Sequence, residues 1–272
     1  MYTEWREEKV MIWGKTYPEL STKYRETVCT GGVLENGNFI RLYPIPYRYL
    51  SEDTGFSKYQ WIKAKIRKSD DDNRPESFKI NPDTIELLDK VPSDKFGWFG
   101  RLQLISKNVN YHFDDVDKLK EANRKDGTSI GFIKPKEIIS IYLDERPQDE
   151  YKAFQKKFEE NEEKSKQIEL FGLDIGEVKK LQFISKRFMV EWKCNALDCT
   201  THKMSILDWE AYELLRKIGE TEALNRLQDI LLSEDHNISF FLSNFKLHPT
   251  AFAISGLWYP KNTNLAPNLS LF

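Results

Sequence analysis

The stretch that most constrains the fold is Thr27–Tyr43, where the runs TVCTGGVL and NFIRLY flank Glu35-Asn36-Gly37. An Asn-Gly pair between two β-rich runs is a strong hairpin signal, because both residues tolerate the positive φ of a tight turn. The first run also contains Gly31-Gly32. A glycine pair inside a strand marks a bulge or a close backbone approach, and in a small barrel it supplies the curvature that closure needs. The hairpin is therefore expected to seed a curved or barrel-like sheet. Val10–Trp13 predicts a buried strand before it. Lys58–Lys68 alternates strictly, with Tyr59, Trp61, Lys63, Lys65 and Arg67 on one face and Gln60, Ile62, Ala64 and Ile66 on the other. That pattern predicts an antiparallel strand with one core face. Pro44 and Pro46 are expected to end the third strand. Lys15–Arg25 and Ser69–Pro82 read as polar loops. Asp70-Asp71-Asp72 lacks the alternate carboxylates, glycine and distal glutamate of a calcium loop, so it reads as a solvated turn.

Further along, helices are expected at Ser93–Lys107 (capped by Ser93), Asp114–Lys125, Pro147–Ile168, Ser205–Lys217 and Glu220–Leu232. Ser205 and Asp208 suggest a capping box for the fourth. Strand signals fall at Ser129–Leu143 (two strands around KPKE), Lys180–Lys193 (two consecutive strands or one bent strand), Ile238–Leu242 and Ala251–Tyr259, before a Pro/Asn-rich tail. The pattern predicts an α+β chain of two strand-rich halves. Residues 1–145 form a barrel-like β domain with helical insertions, 146–170 a charged helical connector, and 171–272 a second α+β domain with a smaller sheet and a helical pair.

The 272 residues are 40% hydrophobic and 31% charged, with a net charge of −2. Any contact with nucleic acid must then come from a local basic face, because the whole-protein field gives no attraction to polyanions. Neither a secretory h-region nor an apolar run of membrane length is present, and three cysteines argue for a reducing cytoplasm. The local basic face is expected between Lys15 and Trp61, where cations and aromatics interleave. Lys15, Lys23, Arg25, Arg41 and Arg48 are the expected phosphate contacts, and Tyr43, Tyr47 and Trp61 the stacking platforms. Cys194, Cys199 and His202 form a C-x4-C-x2-H cluster whose thiolates and imidazole suit zinc. A closed site needs a fourth ligand, for which Cys29, His236, His248 and Asp208 all stay open. Cys29 otherwise reads as a buried structural thiol. Phosphate-loop, dinucleotide and hydrolase-triad signatures are lacking.

KTYPELSTKYRETVCTGGV, GNFIRLYPIPYR and KYQWI, followed by SIGFIKPKEI, CxxxxCxxHKMSILDWE and FFLSNFKLHPTAFAISGLWYP, resemble a little-characterised prokaryotic family. The resemblance implies two OB-like barrel modules and an association with mobile elements or defence loci, and it carries no established catalytic residues. The expected function is nucleic-acid binding, to single-stranded or structured DNA or RNA, without catalysis, as an accessory subunit. A metal-dependent nuclease or nucleotide-modifying enzyme is the first alternative, and a module that binds a protein partner is the second.

Overall fold

A computed structural model describes residues 4–21, 23–170 and 180–265. The first nine residues of the segment 171–272 and the tail from residue 266 lie outside the described residues. Strands β1 (Arg6–Lys15), β2 (Glu19–Ser21), β3 (Arg25–Leu34), β4 (Phe39–Ile45), β5 (Gln60–Lys68), β6 (Ser77–Ile80) and β7 (Glu86–Lys90) build the N-terminal sheet. It closes in the order β1-β3-β4-β6-β5-β1, a five-stranded barrel, with β2 on β3 and β7 on β5. The pairings are antiparallel except β4–β6, where Arg41 and Leu42 run parallel to Ser77 and Phe78. The Asn36-Gly37 hairpin forms as the sequence predicts: Gly37 has φ +86°, and Leu34 N donates to Asn38 O at 2.9 Å.

Alternation explains how the barrel is filled. Val10 and Ile12 of β1 join Leu34, Ile40, Leu42, Ile62, Ala64 and Ile66 in the barrel interior. The opposite face of β1 is buried too, because Met11 and Trp13 enter a second cluster with Phe132, Phe241 and Trp258. Trp13 stacks on Phe241 with centroids 4.2 Å apart, and its Nε1 donates to Gly32 O at 2.9 Å. A Cβ at Gly31 or Gly256 would strike the indole, so the expected close approach at Gly31 is the approach of Trp13.

The remainder comprises α1 (Lys95–Ile105), β8 (His112–Phe113), α2 (Val116–Asp126), β9 (Ile130–Ile133), β10 (Glu137–Glu145), α3 (Gln148–Leu170), β11 (Lys186–Lys193), β12 (His202–Ser205), α4 (Trp209–Ile218), α5 (Glu220–Leu231), β13 (Ser239–Phe245) and β14 (His248–Trp258). A three-stranded sheet β10-β11-β12 and a four-stranded sheet β14-β13-β9-β8 enclose a core around Phe188, Trp192, Tyr212, Phe240 and Leu242, on which α4 and α5 pack. No described helix is long and apolar enough to cross a membrane.

Several expectations change. The polar stretch 69–82 contains β6, the strand that closes the barrel. Only four residues long, β6 is held by neighbours distant in sequence rather than by a local pattern. Glu19–Ser21, expected as loop, pairs with β3. The third strand runs through Pro44, after a cis Tyr43–Pro44 peptide, and stops only at Pro46. Asp94 rather than Ser93 caps α1, and Asp208 rather than Ser205 caps α4, since Ser205 ends β12. Within 180–193 the structure holds one strand, β11. Residues 130–145 pair with strands of the C-terminal half, β9 with β13 and β10 with β11.

Candidate functional site

The seam between the barrel and the C-terminal sheets holds a cavity of about 410 Å³. Its floor is built on Arg41 of β4, a residue only 3% exposed. Arg41 donates to Ser77 Oγ (3.1 Å), Ser129 Oγ (3.0 Å) and Ser129 O (3.3 Å), so it ties β6 to the chain just before β9. Glu76 completes the network by accepting from Ser129 N at 3.2 Å and Ser129 Oγ at 2.6 Å. Burial pulls the Arg41 pKa down and pushes the Glu76 carboxyl up, while hydrogen bonds from Ser129 oppose the latter.

The cavity rim combines aromatics with cations. Tyr24, Tyr43 and Phe245 all line it and all stay exposed, at 41%, 46% and 41%. The Tyr43 hydroxyl lies 3.2 Å from Thr27 Oγ1, and Lys23 Nζ lies 5.0 Å from the Tyr24 centroid. Lys23, Arg41, Arg74, Lys79 and Lys246 face the acidic Glu19, Asp71 and Asp72 across the lining. Arg74 is engaged by Asp72 at 2.6 Å and by Asn244 O at 2.8 Å, and Lys79 by Asp71 at 2.8 Å. Lys23 and Lys246, flanking the exposed rings, therefore set the sign of the rim.

Of the eight residues expected to bind nucleic acid, the cavity gathers Lys23, Arg41 and Tyr43. The other five lie elsewhere. Lys15 is buried, with Nζ 4.7 Å from the Tyr47 centroid and 5.6 Å from the Trp209 centroid. Burial lowers its pKa against the pull of Glu210 and Asp208. Tyr47 packs edge-on against Phe56 and Trp209, and its hydroxyl donates to Phe56 O. Arg48 pairs with Glu26 at 3.4 Å and donates to Lys180 O at 3.1 Å. Arg25 adopts φ +62° with its guanidinium 5.9 Å from the Tyr49 centroid. Trp61 is half-buried against the cluster that holds Trp13. Sequence reasoning missed Arg74, Lys79, Phe245 and Lys246 as lining residues. Phe245-Lys246 carries the same basic–aromatic signal as Lys23-Tyr24, but it lies some 220 residues away. Cys29 also lines the cavity, and burial raises its thiol pKa although Arg41 pulls it down. That combination does not make an activated thiolate.

A separate cluster forms where β11 turns into β12. Cys194 and Cys199 place their sulfurs 3.0 Å apart, and His202 Nε2 lies 3.3 Å from each. These donor atoms all fall within 4.8 Å of one another, a convergence that could hold a metal ion. Burial, together with the neighbouring Cys194, raises the Cys199 pKa; burial also lowers that of His202. The turn is fixed from outside by Asn195 N donating to Asp114 O at 3.1 Å. None of Cys29, His236, His248 and Asp208 belongs to this group. Asp208 instead caps α4, accepting from Glu210 N at 2.9 Å, and pairs with Lys58 at 3.1 Å.

No curated protein matches the chain. Two family models do match it, a domain of unknown function (DUF8758) over residues 6–107 and a domain of unknown function (DUF8757) over residues 112–272. The first covers the barrel with β7 and α1, the second the two C-terminal sheets and their helices. Because the second match spans more than half of its length, the chain belongs to the DUF8757 family.

Proposed function

We propose that the seam cavity is the grip of a nucleic-acid-binding protein that holds a single strand without transforming it. The observation carrying this reading is the lining: three exposed rings, Tyr24, Tyr43 and Phe245, share one cavity with Lys23 and Lys246. Bases stack on such rings irrespective of sequence, while lysines neutralise the backbone. The barrel order β1-β3-β4-β6-β5-β1, with its single parallel pair, supports the reading as well. We read it as similar to the Greek-key arrangement of OB-type barrels, which commonly bind oligonucleotides. Arg41 acts as a buried strut that holds the floor rather than as a phosphate contact.

Anisotropy of labelled single-stranded DNA and RNA at several salt concentrations tests the reading. Each of Lys23→Ala and Lys246→Ala is expected to reduce the slope of log K against log salt by about 0.7. Tyr43→Ala is expected to cost about 1–3 kcal/mol of binding. A wild-type affinity indifferent to salt refutes the electrostatic part.

A second reading rests on the cysteine–histidine cluster. We infer that Cys194, Cys199 and His202 bind zinc as a structural knuckle, with the fourth position left to a ligand outside this group. Zinc there would lock the turn between β11 and β12 against the start of α2. Metal analysis of purified protein is expected to find about one zinc per chain, lost in Cys199→Ser. Divalent-ion-dependent cleavage of nucleic acid by the same preparation would favour an enzyme instead.

A further inference from the structure

Beside the first cavity lies a second of about 380 Å³, between the loop entering β2, helix α3, the chain preceding β11, and α4. A volume of this size suits a small molecule. Its lining contains two buried donors that meet no acceptor among the described residues. Tyr212, on α4, is 1% exposed, and its hydroxyl lies beside the Arg146 guanidinium, itself a donor, and meets no acceptor among the described residues. Arg146 Nε is buried and likewise without one, although its guanidinium lies 5.3 Å from the Tyr212 ring. Buried donors are nearly always satisfied, by protein, water or ligand. Two of them on the wall of one cavity mark the place where an acceptor belongs.

Charge and shape narrow that acceptor. Arg146 and Arg187 share Glu150, at 3.1 and 3.8 Å, and Arg187 also meets Asp144 at 3.0 Å. With Lys157 the lining carries three cations against Glu19 and Glu150. A pair of guanidinium forks is the arrangement that suits the oxygens of a phosphate. The opposite side is aromatic: Phe183 packs 5.2 Å from Phe154, and Tyr17 packs 5.5 Å from Tyr212. A flat ring can stack there while its phosphate reaches the arginines.

We propose that this second cavity binds a small phosphate-bearing molecule with a flat ring, of the nucleoside monophosphate class. The phosphate oxygens would accept from Arg146 Nε–H and the Tyr212 hydroxyl, and the ring would lie against Phe154 and Phe183. The proposal goes beyond the strand-binding reading and does not rest on it, although the two cavities share Thr16, Glu19, Leu207 and Phe245.

Titration calorimetry on the full chain, with adenosine monophosphate and separately with inorganic phosphate, tests it. Saturable binding of the nucleotide is expected, tighter than that of phosphate alone. Arg146→Leu should weaken it by about tenfold or more. Tyr212→Phe keeps the ring and removes the hydroxyl, so it should weaken binding about three- to tenfold without lowering the melting temperature. Tyr43→Ala should leave nucleotide affinity unchanged while weakening single-strand binding. Three outcomes overturn the proposal: no nucleotide binding at millimolar concentration, wild-type affinity in Tyr212→Phe, or an affinity that follows Tyr43 instead. Should Arg146→Leu not fold, Tyr212→Phe decides alone.

Discussion

Asp208 has two partners at once, and both matter at the scale of single residues. It caps α4 through Glu210 N and neutralises Lys58, whose ammonium is otherwise buried at the seam. Burial would lower the Lys58 pKa, but the Asp208 charge and its neighbours raise it well above the ordinary value. Its contribution to stability is thus full at neutral pH and would be lost only as pH climbs through that raised value. Asp208→Asn is expected to destabilise the protein by about 3 kcal/mol in urea unfolding, because it leaves a buried lysine with only the half-exposed Glu210 at 3.6 Å. The companion change Lys58→Met should recover much of that loss. Asp72 titrates at the other extreme. Burial would raise its carboxyl, but hydrogen bonds and charge from Arg74, with Ser77, hold it at about 2. A depressed carboxylate stabilises above its unfolded pKa and loses that contribution as pH falls through the folded value. Stability monitored by circular dichroism should therefore fall between pH 3.8 and about 2, and Asp72→Asn should flatten that limb. The Lys58–Asp208 pair does not follow from sequence spacing, since the two residues are 150 positions apart.

Among the elements, β3 shows what local chemistry determines. Its Gly31-Gly32 pair is visible in the sequence, and so is the hairpin that follows it. The reason for the glycines is tertiary: the Trp13 indole lies where a Gly31 Cβ would stand, and Val10 crowds Gly32. Gly31→Ala is expected to cost about 1–3 kcal/mol or more, read as a lower urea midpoint at unchanged m-value, because an aromatic ring must move in a packed core. Long, strictly patterned elements such as β5 and α2 are legible from sequence, since burial follows their own periodicity. Strand β6 is not, because its four residues gain their place only from β4 and β5.

At the scale of the whole molecule, two family models meet between residues 107 and 112, yet the packing crosses that line. Trp13 of the barrel stacks on Phe241, Arg41 and Glu76 grip Ser129, and Arg74 holds Asn244. Over Val10–Trp13 both faces of β1 are apolar, so separation would expose Met11 and Trp13 to water. The chain is expected to unfold in one cooperative transition, coincident by tryptophan fluorescence and far-ultraviolet circular dichroism. A piece ending at residue 107 should lack that cooperative transition. Two separated transitions in the full chain would show that the seam is weak.

The sequence by itself determined the α+β class, the hairpin and its glycine kink, most of the helices, and the spacing that brings Cys194, Cys199 and His202 into one turn. These rest on periodicity, turn chemistry and short loops, all local. Only the tertiary structure decided which basic and aromatic residues share an opening. Alternation gives each strand two faces, but it does not say what lies beyond each face. Tyr47 and Lys15 face protein, whereas Tyr43 and Lys23 line a cavity, and Phe245 and Lys246 join them from the far end of the chain. Closure of the barrel against the second sheet made that choice, through contacts between residues distant in sequence.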